Sequence, residues 1–212
     1  MLEITDLRFR HPGQQSDYSF DLSVKPGKIL GITGKSGSGK STLLDLVAGF
    51  LLPSAGEILI EGNRQNELPP EARPLTILFQ KNNLFEHLSA ADNVALGINP
   101  SLRLTSQEKQ LVTKALARVG LGGKDRQKVA SLSGGEQQRV ALARSLVRNK
   151  PILLLDEPFS ALDAETRAEM LTLVREIVDE KQLATLMVTH DTSDCRVLRA
   201  SEFDVSKDNN GV

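Results

Sequence analysis

Gly34-Lys35-Ser36-Gly37-Ser38-Gly39-Lys40-Ser41 fits the pattern G-x-x-x-x-G-K-[ST], and residues of these types at this spacing can hold a polyphosphate. Glycines at 34, 37 and 39 let the backbone wrap closely and aim several N–H groups inward, while the helix that follows adds the positive end of its dipole. Lys40 supplies a compact positive charge for the β- and γ-phosphate oxygens, the Ser41 hydroxyl can ligate Mg²⁺, and Thr42 adds a further phosphate contact. A Gly/Ser-rich turn capped by a helix would have the same composition. Context favours phosphate, because the apolar segment Lys28 to Thr33 (KILGIT) precedes the run and STLLDLVAG follows it. Such a cradle does not by itself choose among kinases, GTPases and transporters.

A second signal lies downstream. Ile152-Leu153-Leu154-Leu155 is apolar on both faces, as a buried parallel strand must be, and it stops at Asp156-Glu157-Pro158. Two acids therefore emerge at a carboxyl edge, where open α/β sheets place their chemistry. Asp156 suits a Mg²⁺ shell, directly or through water. Glu157, one residue further on, can orient and polarise an attacking water as general base. Acids after a strand otherwise serve as helix caps or solvated loop, and the phosphate cradle upstream weighs against that role here.

Holding these groups together requires an α/β chain with a largely parallel sheet. Apolar bursts bounded by Gly, Pro and Asn recur with helical patterns between them, and Leu75 to Phe79 (LTILF) and Thr185 to Thr189 (TLMVT) complete the expected central strands. Leu2 to Phe9 and Tyr18 to Val24 alternate apolar and polar residues, so they are expected as half-exposed antiparallel strands. From Phe79 to Ile152 the periodicity is helical, which predicts an inserted helical lobe. Within it Thr105 and Glu108 make a capping box, and Leu111, Val112, Ala115, Leu116 and Val119 fall on one helical face. The polar tail from Ser206 is expected to fray.

Composition narrows the partners. The chain has 212 residues, 40% apolar and 25% charged, and folds as one domain on ordinary statistics. A net charge of -1 supplies no basic field for nucleic acid or anionic lipid. The longest apolar run, Ile152 to Leu155, falls far short of the roughly 20 residues of a spanning helix, and MLEITDLRFR has no apolar signal region, so a cytoplasmic protein is expected. The single cysteine, Cys195, rules out an internal disulfide and reads as a small core residue.

Leu132-Ser133-Gly134-Gly135-Glu136-Gln137-Gln138-Arg139 resembles the signature segment of the ABC ATPases, and other motifs then fall into that family's order. Gln80, directly after LTILF, resembles its Q-loop; Ser160-Ala161-Leu162-Asp163 resembles its D-loop; His190, closing TLMVT, resembles its switch histidine. The resemblance runs from the N-terminus to about residue 192. It implies a P-loop NTPase core with a mostly parallel sheet and flanking helices, an antiparallel β subdomain and the inserted helical lobe. The implied layout is one domain, with residues 1–82 and 150–212 as the nucleotide-binding core and 83–149 as the lobe. It implies ATP and Mg²⁺ as ligands, with Ser41, Gln80 and Asp156 around the metal and Glu157, His190, Gln80 and Lys40 in catalysis. Gly34 to Thr42, Ser133, Gly134, Gly135, Glu136 and Asp163 would meet nucleotide, the signature residues facing the γ-phosphate held by a second subunit. Ser133 and Glu136 also form an ordinary capping box for the helix carrying Val140, Ala141, Leu142 and Leu146.

Two positions depart from the family pattern. The fifth signature residue is Glu136 where Gln is usual, and the aromatic ring expected to stack on adenine after the first strand corresponds to His11, with Tyr18 and Phe9 as alternatives. The signature excludes a small-molecule kinase. DNA-repair relatives carry long coiled coils and translation relatives fuse two cassettes, whereas this chain has neither a heptad run nor a second cassette. Pro69 to Pro74, and Asn82 to Ser89 (NNLFEHLS), resemble bacterial importer ATPases. With Leu96 to Pro100 and Ser101 to Leu104 they look most like those of thiamine importers, while ferric-iron, polyamine and sulfate importers share much of the segment. The resemblance implies a head-to-tail dimer on the cytoplasmic side of the bacterial inner membrane. Permease subunits would dock through the Gln80 loop and residues 82–88, and a periplasmic solute-binding protein would act indirectly.

Overall fold

The computed structural model describes residues 1–13, 17–79, 84–160 and 162–208. The chain divides into two compact units, Met1–Ile77 with Lys150–Glu157 and Val174–Val212, and Leu78–Asn149 with Pro158–Leu173. The first unit contains an antiparallel sheet of β1 (Leu2–Phe9), β2 (Tyr18–Val24), β4 (Ala55–Ile60) and β5 (Asn63–Arg64) in the order β2-β1-β4-β5. Alternation along β1 buries Leu2 and Ile4, then Leu7. The change from even to odd positions coincides with a register shift between Ile4 and Leu7, and Asp6 there has φ of 46°. A bulge of that kind carries the apolar face across one extra residue.

The second sheet orders β6 (Leu75–Leu78), β7 (Ile152–Asp156), β8 (Ala184–Val188), β3 (Ile29–Thr33) and β9 (Ser201–Asp204) as β6-β7-β8-β3-β9, and β7, β8, β3 and β9 pair in parallel. Being covered on both faces, β7 is a continuous apolar run and β8 is apolar but for Thr185, with every residue from Ile152 to Leu155 and from Ala184 to Val188 buried. Helix α1 (Lys40–Ala48) supplies Leu43, Leu44, Leu46 and Val47 to the same core as Phe20, Leu154 and Leu186.

In the second unit α2 (Ala90–Ala95), α3 (Ser106–Arg118) and α4 (Gly134–Val147) pack on one another. The Thr105–Glu108 capping box opens α3, and the Ser133–Glu136 box opens α4. The face of α3 is narrower than its apolar residues suggest. Val112, Leu116 and Val119 are buried, but Leu111 is 52% exposed. Positions i, i+4 and i+7 define the stripe, and Leu111 lies about 100° from Val112 around the helix. Helix α5 (Ala164–Lys181) crosses the division between units. Helices α6 (Thr192–Val197) and α7 (Val205–Asp208) close the described chain. The expected fraying at Ser206 is replaced by hydrogen bonding: its N–H donates to Asp204 Oδ1 at 3.0 Å and its Oγ accepts from the Lys35 N–H at 3.1 Å.

Helix α1 is held at its far end by a buried cation. Arg73 has no solvent exposure and donates to the carbonyls of Leu46 and Val47 at the end of α1, at 2.6 and 2.8 Å, and to those of Leu68 and Asn66 at 2.9 and 3.3 Å. The helix terminus is electronegative, so carbonyls rather than a carboxylate compensate the guanidinium. Gly49 ends the helix with φ of 89°, and a Cβ there would lie 2.6 Å from Arg73 Nε. Replacing Arg73 by Leu leaves four carbonyls without this donor. The expected loss is at least about 3 kcal/mol, or roughly 6–12 °C in Tm. A thermal melt within a degree or two of the parent would show that water replaces the guanidinium.

Candidate active site

Register places the chemistry. β8 lies between β7 and β3, with Asp156 opposite Val188 and Ile32 also opposite Val188, so three strands end level at their carboxyl edges. From those ends emerge Asp156–Glu157, Thr189–His190 and the Gly34–Ser41 cradle.

In the cradle Gly34, Gly37 and Gly39 have φ of 139°, 78° and 103°, conformations that residues with a Cβ rarely adopt. A Cβ on Gly39 would also meet the Tyr18 ring at 2.6 Å. Lys40 is 6% exposed, and its ammonium donates to the Gly34 and Lys35 carbonyls at 2.9 Å each. Gly39, the N-cap of α1, has no side chain to cap the first-turn amides. Backbone and charge of this kind suit phosphates.

Glu157 sits in a left-handed conformation, φ 45°, with its N–H donating to the Val188 carbonyl at 3.1 Å. That strained backbone is held by the strand beside it and turns the side chain toward β8. The Glu157 carboxylate pairs with His190 Nε2, and the side chains are 17% and 56% exposed respectively. Burial pushes the Asp156 carboxyl above its ordinary range; the Glu157 and Asp45 carboxylates add to this, and His190 and Lys40 oppose it. Asp45, on α1, is likewise raised by burial. Next to His190, Thr189 Oγ1 donates to the buried Asp194 Oδ2 at 2.6 Å and accepts from the Asp191 N–H at 3.1 Å. This pair braces the turn that carries the histidine.

His11 and Tyr18 both lie against the cradle. His11 Nε2 is 3.1 Å from Thr42 Oγ1, and its ring meets Phe9 and Tyr18 edge-on at 4.7 and 5.9 Å. The Tyr18 hydroxyl donates to the Gly37 carbonyl at 3.1 Å. Cys195 is buried with its Sγ beside Gly31, and burial pushes the thiol up to about 11, so it is an inert packing group.

The second unit carries the signature residues. Ser133 is the N-cap of α4, Gly134 and Gly135 form its first turn, and Glu136 completes the cap. An open depression of about 510 Å³ adjoins this terminus, lined among others by Ser133, Gly135, Glu136, Arg139, Leu162 and Asp163. The Thr166 N–H donates to Asp163 Oδ1 at 3.0 Å and holds that carboxyl below its ordinary range. Gln80, Asn82 and Asn83 lie outside the described residues. Phe85 is 49% exposed while its N–H and carbonyl are both fixed by the Asn93 side chain, at 2.9 and 3.0 Å.

Some contacts had no sequence signal. Ser206 on Lys35 and Asp45 near Asp156 are set by the fold. The Thr189–Asp194 brace is traceable only to the polar spacing after TLMVT.

Comparison with known proteins agrees with this arrangement. Residues 18–160 match the family model described as ABC transporter. The chain is 47% identical over 198 residues to the thiamine import ATP-binding protein ThiQ of Aliivibrio fischeri, covering 93% of this chain and 84% of that protein. The ThiQ protein of Haemophilus influenzae is 53% identical over 175 residues, covering 82% and 81%. Among solved structures, the ATP-binding cassette MJ0796 superposes with a TM-score of 0.80 at 30% identity in a dimeric post-hydrolysis state bound to ADP and Pi, covering 93% of this chain and 91% of that one. A second dimeric structure of that cassette gives 0.82 at 28% identity, with 97% and 95% covered. A P-loop and acids at adjacent strand ends, a capped signature helix and these similarities lead to one conclusion: the chain belongs to the ABC transporter family, as an ATP-hydrolysing subunit.

Proposed function

We propose that this chain drives a bacterial thiamine importer, attached to permease subunits at the cytoplasmic face of the inner membrane. It works as a dimer in which the P-loop of each copy faces the signature helix of the other. The observation that carries the chemistry is the meeting of Gly34–Ser41, Asp156–Glu157 and His190 at three adjacent strand ends. Relatives named for thiamine import support the solute.

The P-loop amides and Lys40 bind the phosphates, and Thr42 adds a hydroxyl contact. Lys35, Ser36 and Ser38 supply loop backbone. Asp156, with the Ser41 hydroxyl and Gln80, would hold Mg²⁺. The fit is chemical: a half-buried carboxylate crowded by other carboxylates is stabilised by a cation, and Mg²⁺ needs few protein ligands when phosphates and waters complete its shell. Bound there, Mg²⁺ would neutralise phosphate charge. Glu157 takes a proton from the attacking water as its oxygen bonds to the γ-phosphorus and the bond to the β–γ bridging oxygen breaks, leaving ADP and phosphate. His190 holds the Glu157 carboxylate by its Nε2–H. Ser133, Gly134 and Gly135 of the second copy close over the γ-phosphate, with Glu136 and Asp163 beside them. Phe85, a fixed backbone with an outward ring, is the docking residue for a permease, together with the Gln80 loop and Leu84.

His11 is the proposed adenine platform. His11→Ala is expected to raise the Kd for ATP and for adenosine alike by about two- to tenfold, with His11→Tyr retaining affinity. Unchanged adenosine affinity by calorimetry would move the role to Tyr18. The solute is tested by uptake: deleting the gene in its bacterium should abolish high-affinity uptake of labelled thiamine, and a plasmid copy should restore it. Normal thiamine uptake with loss of iron, polyamine or sulfate uptake would assign one of those solutes instead.

A further inference from the structure

Glu136 puts a negative charge at the N-terminus of the signature helix, where a partner copy's nucleotide phosphates are to dock. Like charge there opposes docking, while the bare helix terminus favours it. The structure contains a remedy outside the motif. The Ser133 N–H donates to Glu136 Oε2 at 2.9 Å, closing the cap, and Lys124 Nζ donates to Glu136 Oε1. Both carboxylate oxygens are thereby engaged. Lys124 stands in the turn between α3 and α4, and that turn is fixed by its own N–H donating to the Leu121 carbonyl at 3.1 Å and by the Gln127 N–H donating to its carbonyl at 3.0 Å. The adjoining depression is lined by two carboxylates, Glu136 and Asp163, and by the guanidinium of Arg139. Arg139 is already committed to Glu169 Oε2 at 2.7 Å and to the Val119 carbonyl at 3.3 Å. Lys124 is the cation that meets Glu136 directly.

We infer that Lys124 is a positioning residue for nucleotide docking: its ammonium neutralises Glu136, so that the signature helix presents its N-terminal dipole, and not a carboxylate, to the phosphates bound by a second copy. The inference rests on the two-copy reading above. It accounts for how a chain with Glu at this position keeps an anion-accepting signature. A merely structural role, in which the ion pair staples the turn to α4, makes a different prediction. Glu136→Gln removes the charge but leaves a side chain that can still close the capping box. Under the electrostatic role that change compensates for loss of Lys124; under the stapling role it cannot, because the ion pair is absent either way.

The experiment uses the full chain carrying Glu157→Gln and measures, by light scattering on a sizing column, the MgATP concentration that gives half-maximal dimer. Adding Lys124→Ala should raise that concentration by about three- to tenfold, and adding Glu136→Gln to the same protein should bring it back to within about twofold. Raising NaCl should narrow the Lys124→Ala defect, because the opposing charge is screened. If Lys124→Ala matches its parent, or if the Lys124→Ala/Glu136→Gln protein stays as weak as Lys124→Ala alone, the role is overturned. If the Glu157→Gln parent does not dimerise with MgATP at all, the two-copy reading has failed, and the role of Lys124 with it.

Discussion

Replacing Glu157 by Gln is expected to lower ATP turnover by about 10²- to 10⁴-fold while MgATP still binds. Gln keeps the size and hydrogen bonding of the side chain but cannot take the proton of the attacking water. The left-handed backbone at Glu157 and the Glu157 N–H bond to the Val188 carbonyl do not involve the carboxylate, so the strand end should keep its shape. His190 Nε2–H can still donate to the Gln carbonyl oxygen. In the proposed dimer binding favours closure and hydrolysis ends it, so the variant should accumulate as an ATP-bound dimer. Asp156→Asn should behave differently: it disturbs the proposed metal shell and weakens nucleotide positioning along with chemistry. Single-turnover phosphate release should fall in both, and MgATP binding by calorimetry separates them. Wild-type release from Glu157→Gln would remove the general-base role.

Lys40→Ala is expected to weaken ATP binding by about tenfold to a hundredfold, the range for loss of a charge-assisted phosphate contact. Lys40 is buried at the start of α1 and donates to two carbonyls of the loop, so its removal takes away both a charge for the phosphates and an internal tie. Adenosine separates this residue from the adenine platform. Its affinity should be unchanged by Lys40→Ala, because adenosine has no phosphates, and reduced by His11→Ala. Calorimetry with both ligands reads the difference, and equal ATP affinity in the variant and the parent contradicts the role of Lys40.

Much of this arrangement is legible in the sequence because it is local. The phosphate cradle needs glycines, a lysine and a hydroxyl at fixed spacing between a strand and a helix, and eight consecutive residues declare all of it. Ile152 to Leu155 announces a strand covered on both faces, and its acids then have only one edge to occupy. Ser133 with Glu136, and Thr105 with Glu108, mark helix starts by reciprocal hydrogen bonds three residues apart, and both boxes are present. What depends on packing between distant segments was not legible. Leu111 is apolar like Val112, yet only the packing of the three helices decides which of the two turns inward. Ser206 meets Lys35 because β9 lies beside β3, a pairing that no local pattern encodes. Lys124 belongs to no motif, and its contact with Glu136 follows from how the turn before α4 is closed. The order β7-β8-β3, which sets Asp156 and the P-loop on either side of Val188, likewise emerges only in three dimensions.

In the proposed dimer ATP itself joins two copies of this chain, each supplying a P-loop to one nucleotide and a signature helix to the other. Native mass spectrometry of the Glu157→Gln protein with ATP and Mg²⁺ resolves oligomer and bound nucleotide in one spectrum. The expected species is a dimer holding two ATP molecules, which reverts to monomer when ATP is withdrawn. A monomer that binds ATP without pairing, or a dimer that forms equally well without nucleotide, would contradict it.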